Sequence, residues 1–233
     1  MGFHLCPDFL TESEEAELLA YWGPRSAIHR QGSREQGSQR LFFHYGPVLQ
    51  LHVQGSTKST LGIIPCRLGS MPPLTERMQL RERIRKLGAG LGDRSLELDQ
   101  LYVNWYSRAA RSRIDFHHDN PKSMGGVVAG ISLGSACELQ LLAPDARLPR
   151  TPLRVRLPRR SLYLMSGLSR YHLLHGIPAV EGDRLSLTFR SINRDSTDRA
   201  LWRRAWALLP PDEKANAHWP LLPPDVTNGA VTR

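Results

Sequence analysis

This 233-residue sequence has no run of eighteen apolar residues and only three cysteines. Without such a run, the chain is not expected to cross a membrane. Cys6, Cys66 and Cys137 are too widely spaced for a zinc finger, and their odd number is typical of a reducing compartment. Residues 1–20 contain five acids and no lysine or arginine, which is opposite in sign to a secretory or transit peptide. We therefore expect a monomer of the cytoplasm or the nucleus, with no membrane partner.

Acidic residues are also scarce after the first twenty positions. The whole sequence has 31 lysines and arginines against 22 acids, and without residues 1–20 the balance becomes 31 against 17. The basic residues cluster in three stretches, Arg30–Arg40, Ser107–Arg113 and Arg147–Arg160. Clustered positive charge indicates a polyanionic partner such as a nucleic acid, whereas an evenly basic surface would only keep a protein soluble.

Helices are predicted at three places. Thr11 and Glu14 form a capping box, which predicts a helix from Glu12 to Trp22. A third helix is predicted over Arg199–Leu209, whereas the polar stretch Arg30–Arg40 predicts a mobile basic loop. The second helix would present one apolar face, made of Leu80, Ile84, Leu87 and Leu91.

Short strands account for most of the remaining sequence. Leu41–Tyr45 is rich in aromatic residues, and from Leu101 to Tyr106 side chains alternate with a period of two. Further strands are predicted at Val127–Leu133, Cys137–Leu142, Leu153–Leu157, Ser161–Met165 and Arg184–Arg190. Short strands at this spacing predict a mainly β fold with flanking helices (α+β), whose core is a sandwich, barrel or jelly roll.

The stretch Ile114–Pro121 contains a metal-binding pattern. His117 and Asp119 are two residues apart, and in an extended segment such side chains point to the same side. One imidazole and one carboxylate are two of the three ligands in the 2-His-1-carboxylate triad that holds non-haem Fe(II). Asp115 and His117 have the same spacing, so the pattern leaves the carboxylate undecided, and a solvated loop is the alternative.

The strand Arg184–Arg190 indicates a ligand that would accompany such a metal. Alternate residues of this strand form a wholly polar face, made of Arg184, Ser186, Thr188 and Arg190. His175 lies nine residues before the strand. A metal-binding histidine followed closely by arginines suits a chelating dicarboxylate, because guanidinium groups bind carboxylates in a bidentate way. Asn104 and Tyr106 share one face of their strand and can donate further hydrogen bonds.

Four motifs, in this order, resemble the AlkB family of Fe(II)/2-oxoglutarate dioxygenases. They are Asn-x-Tyr at Asn104 and Tyr106, His-x-Asp at His117 and Asp119, a distal His175 in R-Y-H-L-L-H-G-I, and R-x5-R at Arg184 and Arg190. The segment around His175 is most similar to the branch that contains the tRNA wobble-uridine hydroxylases. The resemblance covers about residues 7–193 and implies a double-stranded β-helix, or jelly-roll, core.

The resemblance also implies the cofactors Fe(II), 2-oxoglutarate and O2, together with their ligands. His117, Asp119 and His175 would hold the iron and would therefore be the catalytic residues. The contacts to 2-oxoglutarate would come from Asn104, Tyr106, Arg184, Ser186 and Arg190. We divide the chain into a dioxygenase domain at 1–193, with N-terminal helices and a substrate lid at 1–99 and the catalytic core at 100–193, and a helical, poorly ordered extension at 194–233.

Substrate contacts are expected from basic and aromatic residues near this site, namely Arg40, Phe42, Tyr45, Arg108 and Arg111. Tyr45-Gly46 and Arg40 resemble the family's substrate-facing lid, and the loop Ser107–Arg113 is longer than usual for the family. We expect hydroxylation or oxidative demethylation of a nucleic acid, RNA rather than DNA. The alternatives are a protein side-chain hydroxylase or demethylase of the same fold, a catalytically silent binding β-helix, and a zinc hydrolase, which would leave the two arginines of R-x5-R without a role.

Overall fold

The computed structural model describes residues 2–35, 37–54, 57–65, 71–89, 96–121, 124–144 and 151–192. Its helices are α1 (Glu12–Trp22), α2 (Pro73–Arg77), α3 (Leu80–Gly88) and α4 (Gly167–Tyr171), with a 3-10 turn at Ile28–Gln31. Its strands are β1 (Phe3–Cys6), β2 (Ser33–Glu35), β3 (Arg40–Tyr45), β4 (Pro47–Gln54), β5 (Thr57–Pro65), β6 (Gln100–Tyr106), β7 (Ile114–His117), β8 (Met124–Gly134), β9 (Cys137–Leu142), β10 (Leu153–Leu157), β11 (Ser161–Met165), β12 (Leu174–Ile177) and β13 (Arg184–Ile192).

The strands form two principal antiparallel sheets and one hairpin. The major sheet has seven strands in the order β1-β11-β8-β13-β6-β3-β2, and the minor sheet has four in the order β10-β9-β12-β7. Strands β4 and β5 pair only with each other within the described residues. In the major sheet β13 is central, because β6 and β8 flank it on both sides. The predicted mainly β fold with flanking helices is confirmed.

The helices pack on one face of the major sheet. Helix α1 begins as predicted, because the Thr11 hydroxyl accepts a hydrogen bond from the Glu14 N–H (3.2 Å) and the Glu14 carboxylate accepts one from the Thr11 N–H (2.8 Å). Leu87, predicted on the apolar face of the second helix, is 51% exposed, and Leu91 lies outside the described residues. The helices contribute four fully buried side chains to the larger hydrophobic core: Leu18, Trp22, Leu80 and Ile84.

A smaller core lies between the two sheets. Tyr106, Val128 and Tyr163 of the major sheet are buried in one cluster with Leu139 and Leu141 of the minor sheet. This cluster fills only part of the space between the sheets. The polar residues of β13 and the histidines of the minor sheet occupy the rest of this side, and that is where the candidate site lies.

The prediction for Arg30–Arg40 is wrong in part. Ser33–Glu35 forms the short edge strand β2, which pairs with β3, and a 3-10 turn precedes it. An edge strand needs no apolar face, because solvent satisfies its outer side, so its polar composition is typical of a loop as well. Strands β1, β4 and β5 were not predicted, and the helix predicted at Arg199–Leu209 lies outside the described residues.

Candidate metal centre

Three side chains meet at one end of the minor sheet. His117 on β7 and His175 on β12 are direct partners in the strand register, and their ring centroids lie 4.2 Å apart. Asp119 follows β7, and its Oδ2 lies 3.9 Å from Nε2 of His175. Potential ligand atoms of the three residues all lie within 4.8 Å of one another. The side chain of Asp115 is 78% exposed and pairs with Arg113, so Asp119 is the acid of the sequence pattern that lies within reach of both imidazoles.

Both histidines are held in the neutral form that can bind a metal. Burial lowers the pKa of His175 to about 3, although the nearby Asp119 carboxylate raises it. The pKa of His117 is also lowered, again because burial outweighs the carboxylate. Nδ1 of His117 lies 2.9 Å from the main-chain oxygen of Asp115 and donates to it, which leaves Nε2 with its lone pair for a metal.

Asp119 is a buried carboxylate that lies close to two arginines and the two imidazoles. Burial alone would raise its pKa, but Arg190, the two imidazoles and Arg170 together lower it. Its Oδ1 lies 2.6 Å from Nη2 of Arg190, whereas its buried Oδ2 has no hydrogen-bond partner among the described residues. Asp119 therefore remains ionised, with one oxygen available on the side of the histidines.

The polar face of β13 is buried rather than solvated. Arg184 is 1% exposed, and Ser186 and Thr188 beside it are buried as well. Nε of Arg184 donates to the Ser132 hydroxyl (3.0 Å), its guanidinium lies 5.0 Å from the ring centroid of Tyr106, and its Nη1 has no partner in the described part of the chain. A buried cation with a free donor is suited to an anionic ligand such as a carboxylate.

Asn104 and Tyr106 lie beside these residues, as predicted. Asn104 on β6 is buried and pairs in register with Ser186 of β13, and Tyr106 pairs with Arg184. Nη1 of Arg40 donates to Oδ1 of Asn104 at 2.9 Å. Because a guanidinium only donates, this contact assigns the amide orientation and leaves Nδ2 of Asn104 as a donor toward the other side.

The two aromatic residues predicted to contact substrate lie on opposite faces of β3. Phe42 is half-buried on the face that carries Arg40 and Asn104. Tyr45 is 5% exposed in the larger core, and its hydroxyl accepts a hydrogen bond from the Trp22 indole N–H (3.1 Å). The expectation for Tyr45 is thus corrected, because successive side chains of a strand alternate between its faces.

His44 is a residue of this site that the sequence did not single out. It shares the face of Phe42, with the two rings stacked at 5.0 Å, and its ring centroid lies 3.4 Å from that of Tyr102. Burial, together with Arg190 and Arg40, lowers the pKa of His44 to about 3, so the ring is neutral. The period-two pattern of β3 could have placed it beside Phe42.

Arg108 and Arg111 are exposed at the rim of the site, on the loop between β6 and β7. Ser112 in this loop is fully buried, accepts a hydrogen bond from the Ser107 N–H (3.0 Å) and donates to the Gln39 carbonyl (2.6 Å). The loop is therefore tied to the turn that leads into β3. We call residues 37–40 and 107–113 together the basic rim.

The donor set fits Fe(II) and a dicarboxylate. Two neutral imidazoles and one carboxylate are the ligands of a facial triad, and no fourth protein ligand joins them among the described residues. The unpartnered atoms, Oδ2 of Asp119 and Nη1 of Arg184, are an acceptor for a metal and a donor for a carboxylate. Arg190, by contrast, contacts Asp119 and lies 4.7 Å from the ring centroid of Tyr102.

Comparisons of sequence give the same assignment. A family model described as the 2OG-Fe(II) oxygenase superfamily matches residues 2–190. The chain is 29% identical over 199 residues to an Arabidopsis thaliana protein named alkylated DNA repair protein ALKBH8 homolog, covering 79% of this chain and 53% of that protein. It is 26% identical over 176 residues to the tRNA (carboxymethyluridine(34)-5-O)-methyltransferase ALKBH8 of Macaca fascicularis, covering 76% of this chain and 24% of that protein. The chain thus spans about half, or less, of the length of these relatives.

Two solved structures share the fold. OsALKBH1 has a TM-score of 0.53 and 18% identity, with 82% of this chain and 98% of that chain covered. A Pseudomonas putida prolyl-4-hydroxylase has a TM-score of 0.50 and 16% identity, with 82% and 92% covered. At these identities the comparison shows the jelly-roll fold alone. No helix in the described part of this chain combines the length and the apolar character that crossing a bilayer requires.

Proposed function

The chain belongs to the 2OG-Fe(II) oxygenase superfamily, and from this premise we propose that it oxidises a nucleic acid, RNA rather than DNA. The enzyme is a dioxygenase that uses Fe(II), 2-oxoglutarate and O2. When bound, these cofactors supply the oxidation: 2-oxoglutarate is decarboxylated to succinate while one oxygen atom enters a C–H bond of the substrate. A hydroxyl on a carbon-bound group remains, whereas a hydroxylated N-methyl group is lost as formaldehyde.

We assign the iron to His117, Asp119 and His175 and the two ends of 2-oxoglutarate to residues of the major sheet. Arg184 is the group best suited to the distal carboxylate, because it is buried and its Nη1 lacks a partner in the described part of the chain. Asn104 and Tyr106 would donate to the same ligand. Burial of these residues also excludes water, which strengthens each charged contact.

One observation carries the nucleic-acid proposal: the arginines divide into those with carboxylate partners and those without. Arg159 pairs with Glu15, and Arg160 pairs with both Asp8 and Glu12. The positive charges of these two arginines are thus neutralised by acids of the same chain. The arginines of α3 and its surroundings that pair with acids are Arg77, Arg81, Arg83 and Arg85.

In the basic rim, Arg113 pairs with Asp115, but two other arginines show the opposite pattern. Arg108 and Arg111 are exposed, and neither guanidinium forms an ion pair among the residues that the structure describes; the main-chain N–H of Arg108 donates to Asp183 Oδ1 (2.8 Å). Their loop is anchored through Ser112, so the two charges are presented at the entrance of the site on a fixed backbone. Unneutralised arginines beside an active site suit a phosphate backbone, because each one releases a counterion when it binds.

The face that carries the cofactor residues also offers a stacking surface. Phe42 and His44 are stacked on one another and lie on the same side of β3 as Arg40. A neutral imidazole and a phenyl ring can stack on an unpaired base, which an enzyme that reacts with a base must expose. Single strands and loops present such bases in RNA, and one relative of this chain is named as a tRNA-modifying enzyme.

The test is product analysis of three substrate pools. Small RNA, DNA and peptides are incubated with enzyme, Fe(II), 2-oxoglutarate and O2, then digested and examined by mass spectrometry. We expect oxidised or demethylated nucleosides from RNA, in amounts that match the succinate formed. Succinate coupled to a modified amino acid, with nucleosides unchanged, would overturn the proposal in favour of a protein substrate.

A salt titration tests the basic rim separately. Replacing Arg108 and Arg111 together by glutamine should reduce the slope of log affinity against log salt by roughly 1 to 2, as each lost phosphate contact lowers it. The matched control replaces Arg154 and Arg156 on β10, which lies at the far edge of the minor sheet from β7. An equal effect in both double variants would remove the assignment of the rim.

A further inference from the structure

Arg170 is an almost fully buried arginine that is held by main-chain oxygens. It lies at the end of α4 and is 2% exposed, and no ion pair to it exists among the described residues. Its guanidinium donates instead to three main-chain oxygens. Nη1 reaches the carbonyl of Asp119 (2.9 Å), Nη2 that of Asn120 (3.3 Å) and Nε that of Gly125 (3.3 Å).

Two of these carbonyls lie at the start of the connection from β7 to β8, and the third lies just after its end. Asp119 and Asn120 follow β7 in the minor sheet, and Gly125 is in β8 of the major sheet. One planar group therefore joins the two ends of the segment that carries the candidate carboxylate ligand. Only arginine has several donors in a rigid fork of this kind, whereas lysine has a single nitrogen.

The helix that carries Arg170 is itself anchored from the opposite side. The main-chain oxygen of Gly2 accepts hydrogen bonds from the Ser166 N–H (2.7 Å) and from the hydroxyls of Ser166 (3.3 Å) and Ser169 (2.8 Å). Five residues after Arg170 comes His175 on β12. Arg170 thus connects the backbone of one candidate ligand with the segment that leads directly to another.

We propose that Arg170 is a positioning residue of the metal centre, which holds the backbone of Asp119 so that Oδ2 faces His117 and His175. Arg190 holds the Asp119 side chain at Oδ1 (2.6 Å), whereas Oδ2 has no partner in the described part of the chain. Fixing the main chain on both sides of the ligand sets where the carboxylate can point. The inference rests on the metal site of the proposed function and is independent of the substrate.

A purely structural role would give a different result from a positioning role. Residues that orient metal ligands typically change metal affinity by 10- to 100-fold when replaced. A residue needed only for folding would lower the melting temperature and leave the affinity of the folded protein unchanged. Metal affinity measured on folded protein therefore separates the two.

The experiment measures Mn(II) binding by counting free ion with electron paramagnetic resonance, anaerobically and without nucleic acid. We expect Arg170→Met to weaken Mn(II) binding by about 10- to 100-fold and Arg170→Lys to restore it in part, because lysine keeps the charge but not the three-way contact. The visible spectrum of bound Co(II) should change in both variants. Arg160→Met is the matched control, since Arg160 is a partly buried arginine held by Asp8 and Glu12 away from the metal centre.

All affinities are compared at a temperature where circular dichroism shows each variant folded. An Arg170→Met protein that is folded and binds Mn(II) within about twofold of the parent overturns the proposal, and so does an equal loss in Arg160→Met. If Arg170→Met does not fold, Arg170→Lys decides by the same twofold criterion. Since no nucleic acid is present in this assay, failure of the RNA proposal leaves its result unaffected. His117→Ala tests the metal site independently, because it should lose Mn(II) binding if His117 is a ligand.

Discussion

Replacing Arg184 by methionine should make the protein more stable and at the same time unable to bind its cosubstrate. Arg184 is buried in the centre of the major sheet, where its Nε donates to the Ser132 hydroxyl and its Nη1 has no partner in the described part of the chain. Burial lowers the pKa of Arg184, but the neighbouring Cys137, Tyr106 and Tyr163, together with a hydrogen bond to Tyr106, raise it by more. No carboxylate among the described residues pairs with this guanidinium, so only the contacts with Ser132 and Tyr106 offset the desolvation of the cation.

The size of both effects follows from this environment. Exchanging buried charged groups for apolar ones of similar volume stabilises proteins by about 1 to 4 kcal/mol, and losing the hydrogen bond to Ser132 costs about 1 kcal/mol. We therefore expect a net gain of about 0 to 3 kcal/mol, or an increase of up to roughly 12 °C in melting temperature for a domain of this size. Removing the partner of a buried carboxylate costs about 2 to 5 kcal/mol, which weakens 2-oxoglutarate binding roughly 30-fold to several thousandfold.

Thermal unfolding measures both quantities in one assay. The parent and Arg184→Met are melted without ligands, with Mn(II), and with Mn(II) and 2-oxoglutarate. Only the parent should gain further stability from 2-oxoglutarate, because a ligand stabilises the state that binds it. The control Arg156→Met removes an exposed arginine and should change stability by less than about 0.5 kcal/mol. An Arg184→Met protein that is less stable without ligands, and still responds to 2-oxoglutarate, would refute the reasoning.

Three further predictions concern other residues of the site and its surroundings. His44 and His175 have pKa values of about 3 in the folded protein against 6.5 for an unperturbed histidine, so only the unfolded chain gains their protons as the pH falls below 6.5. Urea unfolding of the metal-free protein should therefore lose about 2 kcal/mol per histidine between pH 6.5 and 5, and His44→Gln should remove one share of this loss. Tyr45→Phe should cost about 1 to 3 kcal/mol of stability, because the Trp22 indole N–H loses its acceptor, and succinate formation should stay normal. Unchanged stability with reduced succinate formation would instead support Tyr45 as a substrate contact. Ser112→Ala should weaken RNA binding by a factor on the order of 5 and leave 2-oxoglutarate binding to the Mn(II) form unchanged, which isothermal titration of each ligand would check.

The strands and the metal pattern were the parts most accessible to sequence reasoning. Strands β9, β10 and β11 have the predicted bounds, because each is a short run of strand-forming residues with distinct ends in the sequence. Spacing alone did not decide whether Asp115 or Asp119 is the candidate ligand. It required the pairing of β7 with β12, which places His117 opposite His175 and leaves Asp115 in solvent.

Contacts between distant segments could not be predicted. Arg170 is typical of a surface residue by composition, and only the packing of α4 shows that it is enclosed by carbonyl groups. Both faces of β3 carry aromatic residues, so no rule of composition separates Phe42 at the site from Tyr45 in the core. The pairing of Arg159 with Glu15 joins positions 144 residues apart and removes that arginine from the surfaces available to a partner.

The candidate metal ligands and the candidate 2-oxoglutarate contacts lie on different sheets, and this has a consequence for the motion of the protein. Both candidate histidine ligands belong to the minor sheet, whereas Arg184 and Asn104 belong to the major one, and the apolar cluster between the sheets is the smaller of the two cores. A metal with its bound diacid would therefore connect the minor sheet to the major sheet. Binding of the metal and the diacid should slow amide hydrogen exchange in β12 and β13 together. Local opening of the two sheets would then be correlated only in the protein that holds both ligands.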